Sequence, residues 1–245
     1  MDDLIIPFAI FLIAGLVKGV VGFGLPTVCL VLFTLTSGLF DAMALLLVPS
    51  LVTNLWQAVR GGQFIALSRR LVLFYATASG GIFIGALALG HVDPDWLVLL
   101  LGLLTVTYGF SGLAGVRIRV PRHREGPMGA LTGLTNGVLT GMTGSFVVPG
   151  VLYLQAIGLP REALVQAMGI LFSLSTLALA IALGGNGLLS VDLGWQSALG
   201  VVPAVIGMTA GQRLRGHLSE TAFRRAVLIG LSVLGCAIIL RALTI

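Results

Sequence analysis

Long apolar runs alternate with short polar stretches along almost the whole chain. Ten apolar segments can be delimited, five before a basic stretch at 116–126 and five after it. They cover residues 4–20, 25–38, 41–59, 71–90, 96–115, 127–142, 145–157, 161–183, 193–211 and 222–243. A helix needs about 20 apolar residues to cross a bilayer, and several segments approach that length. The pattern predicts an all-α polytopic membrane protein.

The first two segments of each set differ from the others. They are short and interrupted by glycine, and the second of each set has only about 13 residues, which is less than the roughly 20 that a full crossing needs. We therefore expect the first two segments of each set to form broken helices or re-entrant hairpins.

The two sets also share a glycine pattern, at an offset of about 118–120 residues. The matching pairs are Gly15 with Gly133, Gly19 with Gly137, Gly24 with Gly144 and Gly38 with Gly158, and Gly81-x-x-x-Gly85 resembles Gly207-x-x-x-Gly211. Matching glycines and segment lengths together predict a duplication. The predicted parts are a first transmembrane repeat at 1–115, a basic linker at 116–126 and a second repeat at 127–245.

Arginines cluster in three of the polar stretches, and short stretches rich in arginine stay in the cytoplasm. These residues are Arg60, Arg69 and Arg70, then Arg117, Arg119, Arg122 and Arg124, and finally Arg213, Arg215, Arg224 and Arg225. Acidic residues such as Asp93, Asp95 and Asp192 mark the alternate stretches. This distribution predicts both termini outside the cell, a cytoplasmic linker and two repeats of opposite orientation, as in many secondary transporters.

Composition agrees with a membrane protein. The 245 residues are 57% hydrophobic and 9% charged, and the mean hydropathy is +1.08. A net charge of +5 in a soluble chain would indicate nucleic acid, but here the arginines set topology beside membrane lipid, so no nucleic-acid partner is expected. Cys29 and Cys236 lie inside apolar segments, and neither a disulfide nor a metal site is predicted. The N-terminus lacks the basic region of a signal peptide, so the first segment is expected to be retained.

The stretch from Lys18 to Pro26 places a charge beside a glycine-rich break. A helix beginning at Leu4 carries Lys18 roughly 20 Å along its axis, past the middle of a hydrocarbon core of about 30 Å. Intramembrane charges face a protein interior or a wet cavity, and a helix that begins at Pro26 presents partly positive amides. We expect Lys18, Gly19, Gly22, Phe23, Gly24 and Pro26 to bind an anion. Alternatively, Lys18 extends to an interface and the glycines serve packing.

A polar counterpart occurs at the start of the second set. Asn136 aligns with Lys18 at the offset given above, and Thr140, Thr143, Gly144 and Ser145 follow it. An amide, hydroxyls and a second helix break offer hydrogen-bond donors to oxyanion oxygens without another full charge. Hydroxyls in membrane helices also bond to their own backbone, and each one taken singly fits that structural role.

Asn54 and Gln57 lie about one turn apart on the third segment. We expect them to line the same cavity, with Ser173, Ser175 and Thr176 in the related region of the eighth segment. Hydrogen bonding between helices explains both groups equally well. Phe23 and Phe146 flank the two breaks as gates or as packing residues.

The sequence lacks the residues that proton transfer, catalysis and nucleotide binding would require. No Asp or Glu lies deep in a segment, and His91, His123 and His217 all fall in polar stretches, which leaves a proton relay unsupported. Neither a catalytic triad with a base in the membrane nor a nucleotide-binding motif occurs. No enzymatic activity and no cofactor are expected.

Local sequence resembles a known family. The stretch from Gly15 to Pro26, followed by Leu47-Val-Pro-Ser-Leu-Val-Thr-Asn54 and Gln57, is similar to the sulfite exporter (TauE/SafE) family of membrane permeases. The glycine-rich start of the second set is also similar, although Thr140-Gly-Met-Thr-Gly-Ser145 is more polar than the family's pattern. The resemblance implies transport of sulfite, sulfonates or sulfoacetate across a prokaryotic cytoplasmic membrane.

The resulting prediction is a secondary transporter, and an exporter by direction, for a small sulfur-containing oxyanion bound near the midplane between helix breaks. An anion channel is the alternative within transport. A membrane scaffold or assembly protein is the alternative outside it, with the glycine stripes as partner-binding faces. The same stripes would also serve a homodimer.

Overall fold

The computed structural model describes residues 2–115, 119–217 and 219–244. This part of the chain contains thirteen α-helices and no β-strand. The helices are α1 Asp2–Val21, α2 Leu25–Ser37, α3 Leu39–Leu45, α4 Leu47–Val59, α5 Phe64–Arg70, α6 Val72–Ala86, α7 Pro94–Leu113, α8 Glu125–Thr143, α9 Gly150–Ala156, α10 Arg161–Gly185, α11 Val191–Leu199, α12 Val201–Leu214 and α13 Glu220–Thr244. The prediction of an all-helical chain is confirmed.

Each of the ten predicted segments contains an α-helix, but two of them are divided. The third consists of α3 and α4, which meet at a bend of 44°, and the ninth consists of α11 and α12. The short second segments are confirmed, since α2 has 13 residues and α9 has 7. Helix α5 lies in a stretch for which no helix was predicted.

Five helical stretches in the described residues are long and apolar enough to cross a membrane, or six if the bent pair of α3 and α4 counts as one. They are Val72–Gly90, Pro94–Leu113, Arg161–Gly185, Val191–Leu214 and Thr221–Thr244. Large apolar side chains on these stretches are exposed, such as Phe110 at 69% and Leu240 at 64%. An exposed apolar surface of this kind is the surface that lipid covers.

Local capping chemistry explains two of the helix starts. Helix α7 begins at Pro94, and the Asp93 carboxylate accepts a hydrogen bond of 3.0 Å from the Asp95 amide. Helix α11 follows Ser190, whose hydroxyl accepts a bond of 3.2 Å from the Leu193 amide. Both arrangements satisfy amides that have no acceptor within the helix.

The chain forms two compact units, and each draws on both halves of the sequence. Unit 1 comprises Met1–Pro49, Asp93–Val116 and Leu188–Ile245, and unit 2 comprises Ser50–Val92 and Arg117–Gly187. The division into repeats at 116–126 stays a prediction. Arg117, one of the arginines of the predicted linker, lies outside the described residues.

Close contact between α1 and α12 organises unit 1. Gly15 faces Ala204 and Gly19 faces Met208, so the two helices run in the same direction. A Cβ atom at either glycine would collide with the backbone of α12. Small residues allow this approach of two helices, which lets van der Waals contact replace lipid contact.

Unit 2 contains the same kind of contact between α6 and α8. Gly133 faces Phe74 and Gly137 faces Ala78, again with both helices running in the same direction. A Cβ atom at either position would meet the backbone of α6. In each unit, the first segment of one half of the sequence therefore packs against the fourth segment of the other half.

An ion pair holds the start of α8 in unit 2. Arg70 donates two hydrogen bonds to Glu125, of 2.8 and 2.9 Å, and the Tyr153 hydroxyl donates a bond of 2.7 Å to the Glu125 carbonyl. The hydrogen bond to Glu125 raises the pKa of the Arg70 guanidinium, so this cation keeps its charge. These contacts connect α5, α8 and α9.

Candidate functional site

Helix α1 ends three residues after Lys18 because the backbone turns at Gly22. Gly22 has a φ of +95°, which glycine adopts without steric cost, and its amide donates a hydrogen bond of 2.8 Å to the Lys18 carbonyl. Gly24 has a φ of +111° and precedes α2, with Pro26 in the first turn. The structure thus confirms a helix break between Lys18 and Pro26.

Lys18 is almost completely enclosed in unit 1, with 2% of its surface exposed. An ammonium group at such a position requires compensating polar or anionic groups, because burial removes its hydration. Lys18 therefore lies inside the protein, and the alternative in which it extends to an interface is not what the structure shows.

The residues after the break form the beginning of α2. The amides of Leu25 and Thr27 lie in its first turn, where the helix itself offers no acceptor, and they carry partial positive charge. Phe23 is half-buried, and its ring meets that of Tyr108 edge to face with centroids 6.5 Å apart. The charge of Lys18 and the positive end of α2 thus belong to the same break.

A second break ends α8 in unit 2. Gly144 has a φ of +73°, and its amide donates a hydrogen bond of 2.7 Å to the Thr140 carbonyl. The Thr140 hydroxyl lies 2.7 Å from the Asn136 carbonyl oxygen and 2.7 Å from the Ser145 carbonyl oxygen, and its one hydrogen is shared between these two acceptors. The Thr143 hydroxyl donates to the Leu139 carbonyl at 2.7 Å. Both threonine hydroxyls therefore hold the shape of this break.

Asn136 occupies the centre of this polar group and is fully buried. Its Oδ1 atom accepts a hydrogen bond of 2.8 Å from the Gly150 amide, which fixes the start of α9. Its Nδ2 atom has no hydrogen-bond acceptor among the described residues. A buried amide donor without an acceptor costs free energy, so this position is suited to an additional acceptor such as an oxyanion.

The two helix breaks correspond to each other at a sequence offset that differs from the one predicted from the glycine pattern. Gly22 and Gly144 each end a helix with positive φ and bond to the carbonyl four residues earlier, which belongs to Lys18 in one case and Thr140 in the other. By this geometry the counterpart of Lys18 is Thr140. The sequence offset had paired Lys18 with Asn136, which lies one helical turn earlier.

The remaining predicted residues lie on α4 in unit 2. Asn54 is fully buried and Gln57 is half-buried. Gly169 of α10 approaches Gln57 closely, since a Cβ atom on this glycine would lie 2.9 Å from the Gln57 Cβ. The hydroxyls of Ser173 and Thr176 bond to their own helix, at 2.7 and 2.6 Å.

The predicted site residues are thus distributed between the units. The first group belongs to unit 1 and consists of Lys18, Gly19, Gly22, Phe23, Gly24 and Pro26. The second belongs to unit 2 and consists of Asn54, Gln57, Asn136, Thr140, Thr143, Gly144 and Ser145. In the part of the chain that the structure describes, no three His, Cys, Asp or Glu side chains are grouped to hold a metal.

Sequence reasoning missed two polar features. The ion pair of Arg70 with Glu125 joins residues 55 positions apart. The one feature of the sequence that could have indicated it is a single glutamate in a stretch rich in arginine. Arg224 was assigned to a polar stretch, but it lies in α13, in contact with a cavity beside the first break. Neither contact follows from hydrophobic periodicity, because both depend on tertiary packing.

Comparison with known proteins gives one match. The family model described as Sulfite exporter TauE/SafE matches residues 7–238, which is nearly the whole chain. No curated protein and no solved structure matches the chain significantly.

Proposed function

Because the chain belongs to the sulfite exporter TauE/SafE family, we propose that it is a secondary transporter that exports a small sulfur-containing oxyanion. Sulfite, a sulfonate or sulfoacetate fits this class. The family consists of transporters and not of enzymes, and the apolar helices agree with a multi-pass membrane protein.

The observation that carries this proposal is the buried Lys18 at the break of α1. Its side chain is 2% exposed, and the first turn of α2 begins within a few residues. A cation before the break and a positive helix end after it favour an anion and disfavour a cation. In this proposal Lys18 neutralises the substrate charge, and the amides after Gly22 contact its oxygens.

We assign a separate group of anion contacts to unit 2, described by itself. The Asn136 amide offers a donor to an oxyanion oxygen, and the Thr140 and Thr143 hydroxyls hold the break at Gly144 and Ser145 in shape. Asn54 and Gln57 select among anions of different size. The support for these roles is the burial of Asn136 and the absence of an acceptor for its Nδ2 atom among the described residues.

We also propose that the two halves are inverted repeats in the cytoplasmic membrane, with both termini outside and the linker 116–126 inside. The packing of α1 on α12 and of α8 on α6 supports this. In each pair, the first segment of one half of the sequence packs against the fourth segment of the other half. The positions of the arginines support the orientation.

Electrostatics favours export of an anion. A potential of about 100 mV, negative inside, drives each negative charge outward by roughly 2.3 kcal/mol. The proposed transporter therefore needs no coupling ion for export. This agrees with the absence of an Asp or Glu deep in any predicted segment.

Flux measurements test the proposal. The purified protein is reconstituted into liposomes, and the movement of labelled sulfite and a series of sulfonates is measured under an imposed potential. We expect saturable flux that accelerates when the potential drives the anion, together with counterflow against unlabelled sulfite. Large unitary conductance without counterflow would indicate a channel. Wild-type protein that moves no anion above the rate of protein-free liposomes would contradict the proposed function.

A further inference from the structure

Arg224 lies at the beginning of α13 and differs from its neighbour Arg225. The Nε atom of Arg224 is buried and has no hydrogen-bond partner among the described residues, whereas Arg225 is exposed. The positive-inside rule, which relates membrane topology to arginine and lysine near segment ends, treats both side chains alike. Topology therefore explains Arg225, and it leaves the burial of the Nε atom of the half-buried Arg224 unexplained.

The surroundings of Arg224 connect it to the first helix break. It lines a small cavity in unit 1 together with Val21, Phe23, Gly24 and Tyr108. Phe23 and Gly24 belong to the break, and the Tyr108 ring packs against Phe23. The Arg224 side chain of α13 thus lies beside the break, which Lys18 of α1 precedes by one turn.

The position of the break along unit 1 indicates the side from which an anion would meet Arg224. Helices α1 and α12 run in the same direction, and Gly19 lies level with Met208 and Gly211. The break is therefore at the end of α12 that leads to Arg213 and Arg215. On the positive-inside rule this end faces the cytoplasm.

The chemistry of a guanidinium fits an entering oxyanion. Its planar set of N–H donors can form two parallel bonds to two oxygens of one anion, whereas an ammonium acts as a point charge. The adjoining cavity of about 10 Å³ has no room for sulfite, so an anion would meet the guanidinium outside it, before it reaches the break.

We propose that Arg224 is a second cationic contact for the transported anion, at the cytoplasmic entrance of the break, and that it binds the anion before Lys18 does. This inference rests on the proposed function. It assigns the entry step to unit 1, with Arg224 capturing the anion and Phe23 and Tyr108 forming the apolar wall beside it.

The test compares Arg224→Gln with the matched control Arg225→Gln in proteoliposomes of defined orientation. Initial rates are measured against sulfite concentration on each side of the membrane. We expect Arg224→Gln to raise the half-saturating concentration on the cytoplasmic side about tenfold, as loss of a charged hydrogen bond does. Arg225→Gln should leave it within about twofold of wild type, and Arg224→Lys should restore part of the loss.

A second measurement uses the wild-type protein and so avoids any effect of mutation on folding. Phenylglyoxal modifies arginine, and mass spectrometry of the peptides gives the rate at Arg224 and at Arg225 separately. Sulfite should slow the modification of Arg224 and leave that of Arg225 unchanged.

Two results would overturn the inference while wild-type protein still transports sulfite. One is an equal change in half-saturating concentration for both Gln variants, which would indicate surface charge alone. The other is no protection of Arg224 by sulfite. Protein without flux but with protection of Arg224 would support anion binding there and count against the proposed transport instead.

Discussion

The Oδ1 atom of Asn136 accepts a hydrogen bond of 2.8 Å from the backbone amide of Gly150. This contact joins α8 to α9 across the second break. It also orients the side chain, because the amide oxygen is committed to Gly150 while Nδ2 has no acceptor among the described residues. The two ends of one side chain can therefore be tested separately.

Asn136→Asp keeps an oxygen for the Gly150 amide and replaces the Nδ2 donor with a second oxygen. A carboxyl group at this fully buried position costs free energy, so we expect a lower melting temperature. We expect sulfite flux to fall by at least about tenfold, which corresponds to about 1.4 kcal/mol, because the carboxyl group disfavours an anion. Asn136→Ala should lower both, since it also removes the contact to Gly150. Flux at the wild-type rate in the Asp variant would show that Nδ2 does not contact the substrate.

Thr140 fixes the shape of the second break because its hydroxyl hydrogen is shared between the carbonyl oxygens of Asn136 and Ser145. Thr140→Val removes the hydroxyl at nearly constant volume and leaves the buried Ser145 carbonyl without this donor. We expect a loss of about 1–3 kcal/mol in stability and slower transport. Thr140→Ser restores the hydroxyl and should recover most of both quantities in thermal unfolding and flux assays. Equal behaviour of the Val and Ser variants would mean that the hydroxyl is dispensable.

Two adjacent glycines on α6 test the close packing in unit 2. A Cβ atom at Gly81 would lie 2.6 Å from the Leu134 carbonyl oxygen, whereas at Gly80 nothing lies within 4 Å. Gly81→Ala should destabilise the protein by about 1–3 kcal/mol because the helices must separate. Gly80→Ala should be neutral or stabilising by up to about 1 kcal/mol, since alanine favours helix. Thermal unfolding of the two variants compares them directly, and equal melting temperatures would contradict this packing.

The ion pair between Arg70 and Glu125 is partly buried, with side-chain exposures of 33% and 10%. Arg70→Met leaves the carboxylate without its partner, and we expect a loss of about 1–3 kcal/mol in stability. The double variant with Glu125→Gln should lose less than the sum of the single variants. Strict additivity of the two losses in unfolding experiments would show that the pair contributes no coupling.

Hydrophobic patterning predicted the ten apolar segments of this chain, but it did not predict α5 or the division of two segments into α3 with α4 and α11 with α12. The ten segments, the short α2 and the break between Lys18 and Pro26 all follow from apolar length and from glycine and proline positions. These features are local, since a helix end at Gly22 requires a φ that glycine adopts most readily. The burial of Lys18 also agrees with its depth in the first segment.

Tertiary contacts could not be predicted in the same way. Glycine spacing paired Lys18 with Asn136, because many glycines allow several offsets, whereas the helix ends pair it with Thr140. Arg224 is more buried than Arg225 because of the side of α13 that faces the cavity beside the break. Adjacent arginines look alike in sequence, and packing alone distinguishes them.

The most direct test of the account is the flux of sulfite through Lys18→Ala under an imposed membrane potential. Arg213→Ala, which removes an exposed charge from the same unit, is the matched control, and the melting temperature shows that both variants fold. We predict flux at the level of protein-free liposomes for Lys18→Ala and flux near wild type for Arg213→Ala. Folded Lys18→Ala that transports sulfite at the wild-type rate, with the same dependence on potential, would contradict the assignment of the substrate site to this break.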